Sequence, residues 1–405
     1  MLKRVKVAVI GSGAISFTFL RNMTTKFAIL DVVGCSDLIE ERSRRRAEQF
    51  GVRMMTNEEI LNDPEIEIVV NLTYPISHYE VTKASLEAGK HVFSEKMMAT
   101  SYQEAKELYD LAENKNLRMA FAPDTFLGAG LQTARKLIDS GFIGTPFGAQ
   151  AMVIRGYHMR GEVKGPTLPF VFCPGGSIPY DMGGYYVNAL VHLLGPINRV
   201  TGLIRPFKNE LMPRNPRHPD YHVPMPFNAD TMMTSSLEFH NGVFGNLTIM
   251  SESHLMELPR LEIYGTEGTL ICPDPNAYAG PVYLIRSNSY LPQPLPLENA
   301  SVPLTHGYGH ENIPDPGEGT DWDERIWRNC QRGLGVADLA WAIRNGRAHR
   351  CSAELGLHAI ETIYGIEQSY KEERFYKLLS KPAQPEPLPS GFISGTSAEE
   401  CLDTK

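Results

Sequence analysis

The stretch Val5-Lys6-Val7-Ala8-Val9-Ile10-Gly11-Ser12-Gly13-Ala14-Ile15-Ser16 decides the fold class. A short apolar run followed at once by Gly-x-Gly-x-x-Ser reads as a buried parallel strand that turns sharply into a helix. Gly11 permits the tight turn. Gly13 lets the backbone approach a pyrophosphate held at the N-terminus of the helix that Ala14 and Ile15 open. Ser16 stands where the third glycine of this fingerprint usually sits. Asp37 closes the next strand-like run, Ile29 to Cys35, at the place where a carboxylate accepts ribose hydroxyls and repels a 2'-phosphate. The pair favours NAD. Two readings stay open: Asp37 as a cap for the helix beginning near Ile39, and NADP held by Arg42, Arg44, Arg45 or Arg46.

Outward from this turn, Val/Ile-rich runs alternate with helix-period stretches as far as Phe121. Ile66 to Leu72, His91 to Phe93 and Leu117 to Phe121 complete five strands, with helices expected over Ile39 to Phe50 and Tyr102 to Asn114. The expected class is α/β: a Rossmann-type doubly wound parallel sheet, followed by an α+β domain with a large, mainly antiparallel sheet. Asn241-Gly242 between Thr231 to Phe239 and Val243 to Met250 marks a hairpin in that second sheet. Helices are expected at Gly130 to Asp139, Ile326 to Asn345 and Ala353 to Ser369, the last two packing back on the body. The division is a dinucleotide-binding domain over 1–124, a substrate-binding and oligomerisation domain over 125–380, and an extended Pro-rich tail over 381–405.

Composition narrows the function. Apolar residues make up 42% and charged residues 21% of 405, ordinary for a folded protein with more than one core. A formal charge of −8 argues against nucleic acid and anionic membranes, so the expected partner is a small molecule. The N-terminus runs directly into a strand, and no apolar window reaches the length of a membrane span, which makes the expected location cytoplasmic. Six scattered cysteines without a C-x-x-C pair read as reduced thiols, and no metal site is expected, His306 and His310 included.

Chemistry is concentrated after the fourth and fifth strands. Lys96 follows Gly89-Lys90-His91-Val92-Phe93-Ser94-Glu95, which places it at the crevice where parallel strands end. Asp181 and Tyr185 stand one helical turn apart and share a face, which Asn188 and His192 extend. Asp181 as an N-cap is the other reading. Gly183 and Gly184 weaken that helix, a cost that close approach of a ligand would explain. Asp124 and Thr125 after the fifth strand, and Arg155 and His158 after the first strand of the second domain, are candidate substrate contacts.

Together these elements resemble the Gfo/Idh/MocA oxidoreductases. The resemblance rests on Val7-Ala8-Val9-Ile10-Gly11-Ser12-Gly13, on Asn71-Leu72-Thr73-Tyr74-Pro75 with His78, on Ala88-Gly89-Lys90-His91-Val92 ending at Glu95-Lys96, and on Gly175-Gly176 through Asp181-x-Gly183-x-Tyr185. It implies that Thr73, Tyr74, Pro75, His78, Glu95 and Lys96 border the cofactor. It also implies that Lys96, Asp181 and Tyr185 are catalytic, in hydride transfer between nicotinamide and a secondary alcohol or ketone of a sugar, glycoside or cyclitol. Tyr185 is read as the acid/base, its pKa lowered by Lys96. Met97 replaces the family's usual proline, which removes the main reason to expect a cis bond there, and Tyr185 replaces a frequent histidine. Two alternatives remain: a glycosidase using transient oxidation by held NAD, and a non-catalytic NAD-binding regulator. A homodimer or homotetramer through the second sheet is expected.

Overall fold

The computed structural model describes residues 3–155, 170–173, 176–213, 216–253, 259–286, 293–295 and 331–389. Its first sheet has six parallel strands: β1 (Val5–Ile10), β2 (Leu30–Ser36), β3 (Arg53–Met54), β4 (Ile68–Asn71), β5 (His91–Ser94) and β6 (Met119–Phe121). Their order, β3-β2-β1-β4-β5-β6, reverses direction between β1 and β4. That switch point opens a crevice at the strand ends, where Gly11 and Thr73 lie. β3 went unread because its two exposed residues carry no period. The intervening helices are α1 (Ser16–Thr25), α2 (Glu40–Phe50), α3 (Asn57–Asn62), α4 (His78–Glu87) and α5 (Tyr102–Asn114). Central strands are buried on both faces, which is why they read as continuous apolar runs.

α6 (Ala129–Asp139) leads into the second sheet, of nine strands. These are β7 (Pro146–Ile154), β8 (Ile197–Arg205), β11 (Met232–Phe239), β12 (Phe244–Met250), β13 (Arg260–Gly265), β14 (Gly268–Cys272), β15 (Val282–Arg286), β16 (Gln293–Leu295) and β17 (Tyr376–Lys377), with β9 (Glu210–Leu211) and β10 (Met225–Pro226) forming a separate ribbon. All pairings in the large sheet are antiparallel except β7 with β12. The β11–β12 hairpin turns at Asn241-Gly242 as expected, with Gly242 at φ 87°.

α7 (Ile178–Leu194) carries the catalytic candidates and is capped by Ser177, whose Oγ accepts from Tyr180 N, so Asp181 is not the cap. The two glycines of α7 sit at close-packed positions. A Cβ on Gly183 would lie 2.7 Å from Ile363, and one on Gly184 3.3 Å from Pro123. Ile363 belongs to α9 (Ala353–Glu372), which follows α8 (Leu334–Asn345). α8 begins eight residues later than expected, after Gly333 at φ 93°, and residues 326–330 lie outside the described part. α8 packs on β5 and β6, so the end of the chain returns to the first sheet. Residues 381–389 are extended but packed: Leu388 is buried, and its N–H donates to Gln132 Oε1 at 2.6 Å. No helix among the described residues is long and apolar enough to cross a membrane.

Three imidazoles, His192 and His358 buried and His91 partly so, join these parts and must be neutral to do so. His91 Nδ1 accepts from Arg118 N at 2.9 Å, His358 Nε2 from Ile197 N at 3.0 Å, and His192 Nε2 lies 3.1 Å from the Gln132 amide. Burial pushes His91 down to about 4, and His192 and His358 down to about 3. The unfolded chain takes up these protons near pH ~6.5 and the folded chain does not, so their contribution is complete above that pH and is lost as pH falls toward the folded values. Unfolding at pH 5 should therefore take up about three more protons than at pH 8 from these side chains alone. The dependence of unfolding free energy on pH, measured by denaturant titration, checks this.

Candidate active site

The turn after β1 is held from both sides. Gly11, at φ 103°, passes so close to β4 that a Cβ would lie 2.5 Å from the Leu72 backbone, whereas a Cβ on Gly13 would meet nothing within 4 Å. The inner glycine is there for packing and the outer one leaves an open seat, as a bound pyrophosphate requires. Asp37 does two things: Oδ2 accepts from Ser12 N and Oδ1 from Ile39 N, both at 2.8 Å. It fixes the turn and the entry to α2 together while remaining partly exposed at the end of β2. Two arginines expected as possible 2'-phosphate ligands are engaged elsewhere. Arg46 is buried beneath the turn, and Arg44 pairs with Glu40 and Glu41 along α2.

On the far side of the crevice, Asn71 builds the Thr73 loop. Its Oδ1 accepts from Thr73 Oγ1 at 2.6 Å, and its Nδ2 donates to His78 O and Thr82 Oγ1 at 3.1 Å. Tyr74 projects into solvent beside Pro75. His78, expected among the cofactor contacts, is buried instead, with Nδ1 2.6 Å from Met97 O and Nε2 3.0 Å from Thr73 O. Burial lowers its pKa, against the two carbonyl oxygens that face its ring nitrogens. His78 thus ties the Thr73 loop to the residue after Lys96. The Lys96–Met97 peptide is cis, against the expectation drawn from the missing proline, with the Met97 side chain buried and its carbonyl held by His78.

Lys96, Asp181 and Tyr185 converge. Lys96 Nζ pairs with Asp181 Oδ1, reaches Asp181 O at 3.4 Å, and lies 5.3 Å from the centre of the Tyr185 ring. Both members of the ion pair keep a little exposure, 17% and 12% of their side chains. Tyr185 is buried, and burial holds its pKa well above the ordinary value, outweighing the arginines nearby. This overturns the expectation of a lowered pKa: a cation over the ring face does less than loss of water around the oxygen.

Sequence reasoning missed Arg332. Its guanidinium is fully buried, with Nη1 donating to Glu95 Oε1 at 2.9 Å and Nη2 to Tyr185 Oη at 3.3 Å, while its carbonyl accepts from Asn22. Glu95, expected at the cofactor, spends its other oxygen on Lys96 N at 2.9 Å. Asp124 was expected at the substrate but turns into the core, accepting from Tyr278 Oη and from Gly335 N at 2.7 Å. Gly335 allows this, since its Cβ would lie 2.9 Å from the Asp124 Cβ. Thr125 is buried beside it. Arg155 is buried and its charge acts on Tyr185, whereas His158 lies outside the described residues. Asn188 donates to Pro123 O at 3.1 Å, and His192 sits against Gln132 and Phe126, away from Lys96.

Two family models account for this arrangement in chain order. Residues 5–122 match the oxidoreductase family with an NAD-binding Rossmann fold, GFO/IDH/MocA, and residues 131–271 match the GFO/IDH/MocA C-terminal domain. The chain belongs to this family. Its first domain is the NAD-binding Rossmann fold of that oxidoreductase family. It is 33% identical over 202 residues to the uncharacterized oxidoreductase C115.03 of Schizosaccharomyces pombe, an alignment covering 49% of this chain and 54% of that one. It is also 30% identical over 151 residues to an inositol 2-dehydrogenase/D-chiro-inositol 3-dehydrogenase of Lactiplantibacillus plantarum, covering 35% and 41%. The chain thus aligns with about half the length, or less, of these curated relatives. In fold it is similar to levoglucosan dehydrogenase in complex with NADH, with a TM-score of 0.74, 21% identity, and coverage of 93% of this chain and 100% of that one.

The Arg332–Glu95 pair gives a direct expectation. Removing one partner of a buried ion pair strands the other, at a cost of about 3–5 kcal/mol. Arg332→Met should destabilise the protein by roughly that amount in urea unfolding, and adding Glu95→Gln should recover part of the loss.

Proposed function

We propose that this GFO/IDH/MocA protein interconverts a secondary alcohol and a ketone on a sugar, glycoside or cyclitol, using NAD. The observation that carries this reading is the convergence of a partly exposed Lys96–Asp181 ion pair with the buried phenol of Tyr185. A binding module needs no proton donor held beside a cation. Gly11, Gly13, Ala14, Ile15, Asp37, Thr73, Tyr74 and Pro75 would hold the cofactor, and exposed Leu38 and Ile39 after Asp37 offer apolar surface to its adenine. When bound, the nicotinamide supplies the hydride acceptor or donor.

The protein's own residues supply the rest. Asp181 aims the Lys96 ammonium, which polarises the substrate oxygen. Tyr185 Oη exchanges the proton with that oxygen. Arg332 only donates, so it occupies a lone pair of Oη and directs the phenol hydrogen elsewhere. In the reductive direction, Tyr185 gives its proton as hydride reaches carbon; in the oxidative direction, Tyr185 must first be a phenolate. A cavity of about 310 Å³ lies beside the first turn of α7; Lys96, Asp181 and Tyr185 do not line it, so it is a polar neighbour of the site. There Ser177, Asn228, Asp230, Glu367 and Lys371 offer hydroxyl, amide, carboxyl and amine groups next to Tyr180. Exposed Phe147, Leu203 and Phe244 on the large sheet support its use in self-association.

The test is a screen of sugars, glycosides and inositols with NAD and NADP, followed at the nicotinamide absorbance. With the substrate found, Tyr185→Phe should lower kcat by about 10²- to 10⁴-fold and leave the Kd for NAD within twofold. Turnover within a few-fold of the parent would remove Tyr185 from the chemistry. A raised Tyr185 pKa also fixes the sign of the pH dependence. Oxidation should accelerate as pH rises through the alkaline range, while reduction stays level at neutral pH and falls only when the phenol ionises. Release of an aglycone without net NADH would instead identify the glycosidase chemistry.

A further inference from the structure

The residue that breaks the glycine fingerprint is built into the turn. Ser16 is fully buried; its Oγ donates to Gly13 O at 2.6 Å and accepts from Arg46 Nε at 3.1 Å. Arg46 Nη2 reaches the same carbonyl at 3.4 Å, Nη1 donates to Gln49 Oε1 at 2.9 Å, and the guanidinium lies 5.3 Å from the centre of the Phe17 ring. Arg46 is 1% exposed, although it belongs to a helix with three further arginines at its surface. A permanently charged group is therefore bonded to the carbonyl of the phosphate-binding turn, where a Cβ on Gly13 would meet nothing within 4 Å.

We propose that Ser16 and Arg46 form a clamp that positions the turn for the cofactor's pyrophosphate. A trans peptide sets C=O and N–H in opposite directions. Holding the Gly13 carbonyl backward on Ser16 and Arg46 therefore aims the Ala14 N–H outward, toward the seat of the phosphates. The same bonds turn the negative end of that peptide away from an anion, and the guanidinium adds its charge to the N-terminus of α1. The serine in place of the third glycine is then the means by which a cation is anchored under the turn. Arg46 is a positioning residue; from beneath the turn it does not reach the ribose 2'-position.

The experiment measures Kd by calorimetry for NAD, NADP, ADP and adenosine with the parent protein, Arg46→Met and Ser16→Ala. Arg46→Met should weaken NAD and ADP at least tenfold and adenosine less than twofold, with the ratio of NADP to NAD affinity unchanged. Ser16→Ala, a milder change that leaves the arginine in place, should show the same pattern at about threefold. Equal losses for adenosine and ADP would mean that the clamp only supports the fold, and unchanged ADP affinity would mean that it does nothing for the phosphates. A selective loss of NADP would make Arg46 a 2'-phosphate ligand. Each of these three results overturns the proposal, and none depends on which sugar the enzyme uses.

Discussion

A guanidinium without access to water has to be neutralised inside the fold, and the pairing of Arg332 with Glu95 is the constraint around which this molecule is arranged. Glu95 ends the approach from β5, Tyr185 comes from the second turn of α7, Asn22 from α1, and Arg332 from the segment that precedes α8. Four parts of the chain, far apart in sequence, meet at one residue. Desolvation of both ions makes every arrangement except the paired one expensive, so the pair acts less as a source of stability than as a device that permits one assembly. Lys96 is the next residue after Glu95, and its N–H rests on the Glu95 carboxylate. Through Glu95, the backbone that carries the Lys96 ammonium is tied to the buried arginine.

The two sides of the crevice are organised by different means. On the pyrophosphate side, backbone geometry dominates: Gly11 presses on Leu72, Asp37 accepts from Ser12, and Ser16 and Arg46 hold the Gly13 carbonyl. On the nicotinamide side, two buried polar side chains do the work. Asn71 shapes the loop at Thr73, and His78 bridges that loop to Met97. Neither Asn71 nor His78 need touch a ligand for its loss to be felt at Lys96, because a displaced loop moves the surface against which the substrate would lie.

Much of this was legible in the sequence, for reasons that are themselves physical. β1, the glycine turn and Asp37 are local in sequence, and a strand buried on both faces announces itself as an unbroken apolar run. Asp181 and Tyr185 were legible because a helix brings residues four apart onto one face. Arg332 was not: 147 residues separate it from Tyr185, and no period links a lone arginine to a carboxylate 237 residues earlier. Asp124 shows the complementary failure. Its place after β6 fits a crevice residue, but the absence of a side chain at Gly335 lets the core claim its carboxylate. Of the two glycines of α7, Gly183 faces Ile363 of α9 and Gly184 faces Pro123, neighbours that no local period announces.

Burial keeps Tyr185 a phenol into the alkaline range, and its hydrogen is directed away from Arg332 because arginine can only donate. The most direct measurement is the ¹³C NMR spectrum of protein labelled at the tyrosine ζ carbon, titrated with pH and assigned by Tyr185→Phe. The Tyr185 signal is expected to keep its phenol position beyond about pH 10, where exposed tyrosines ionise. A phenolate signal from Tyr185 at neutral pH would contradict the account at its centre.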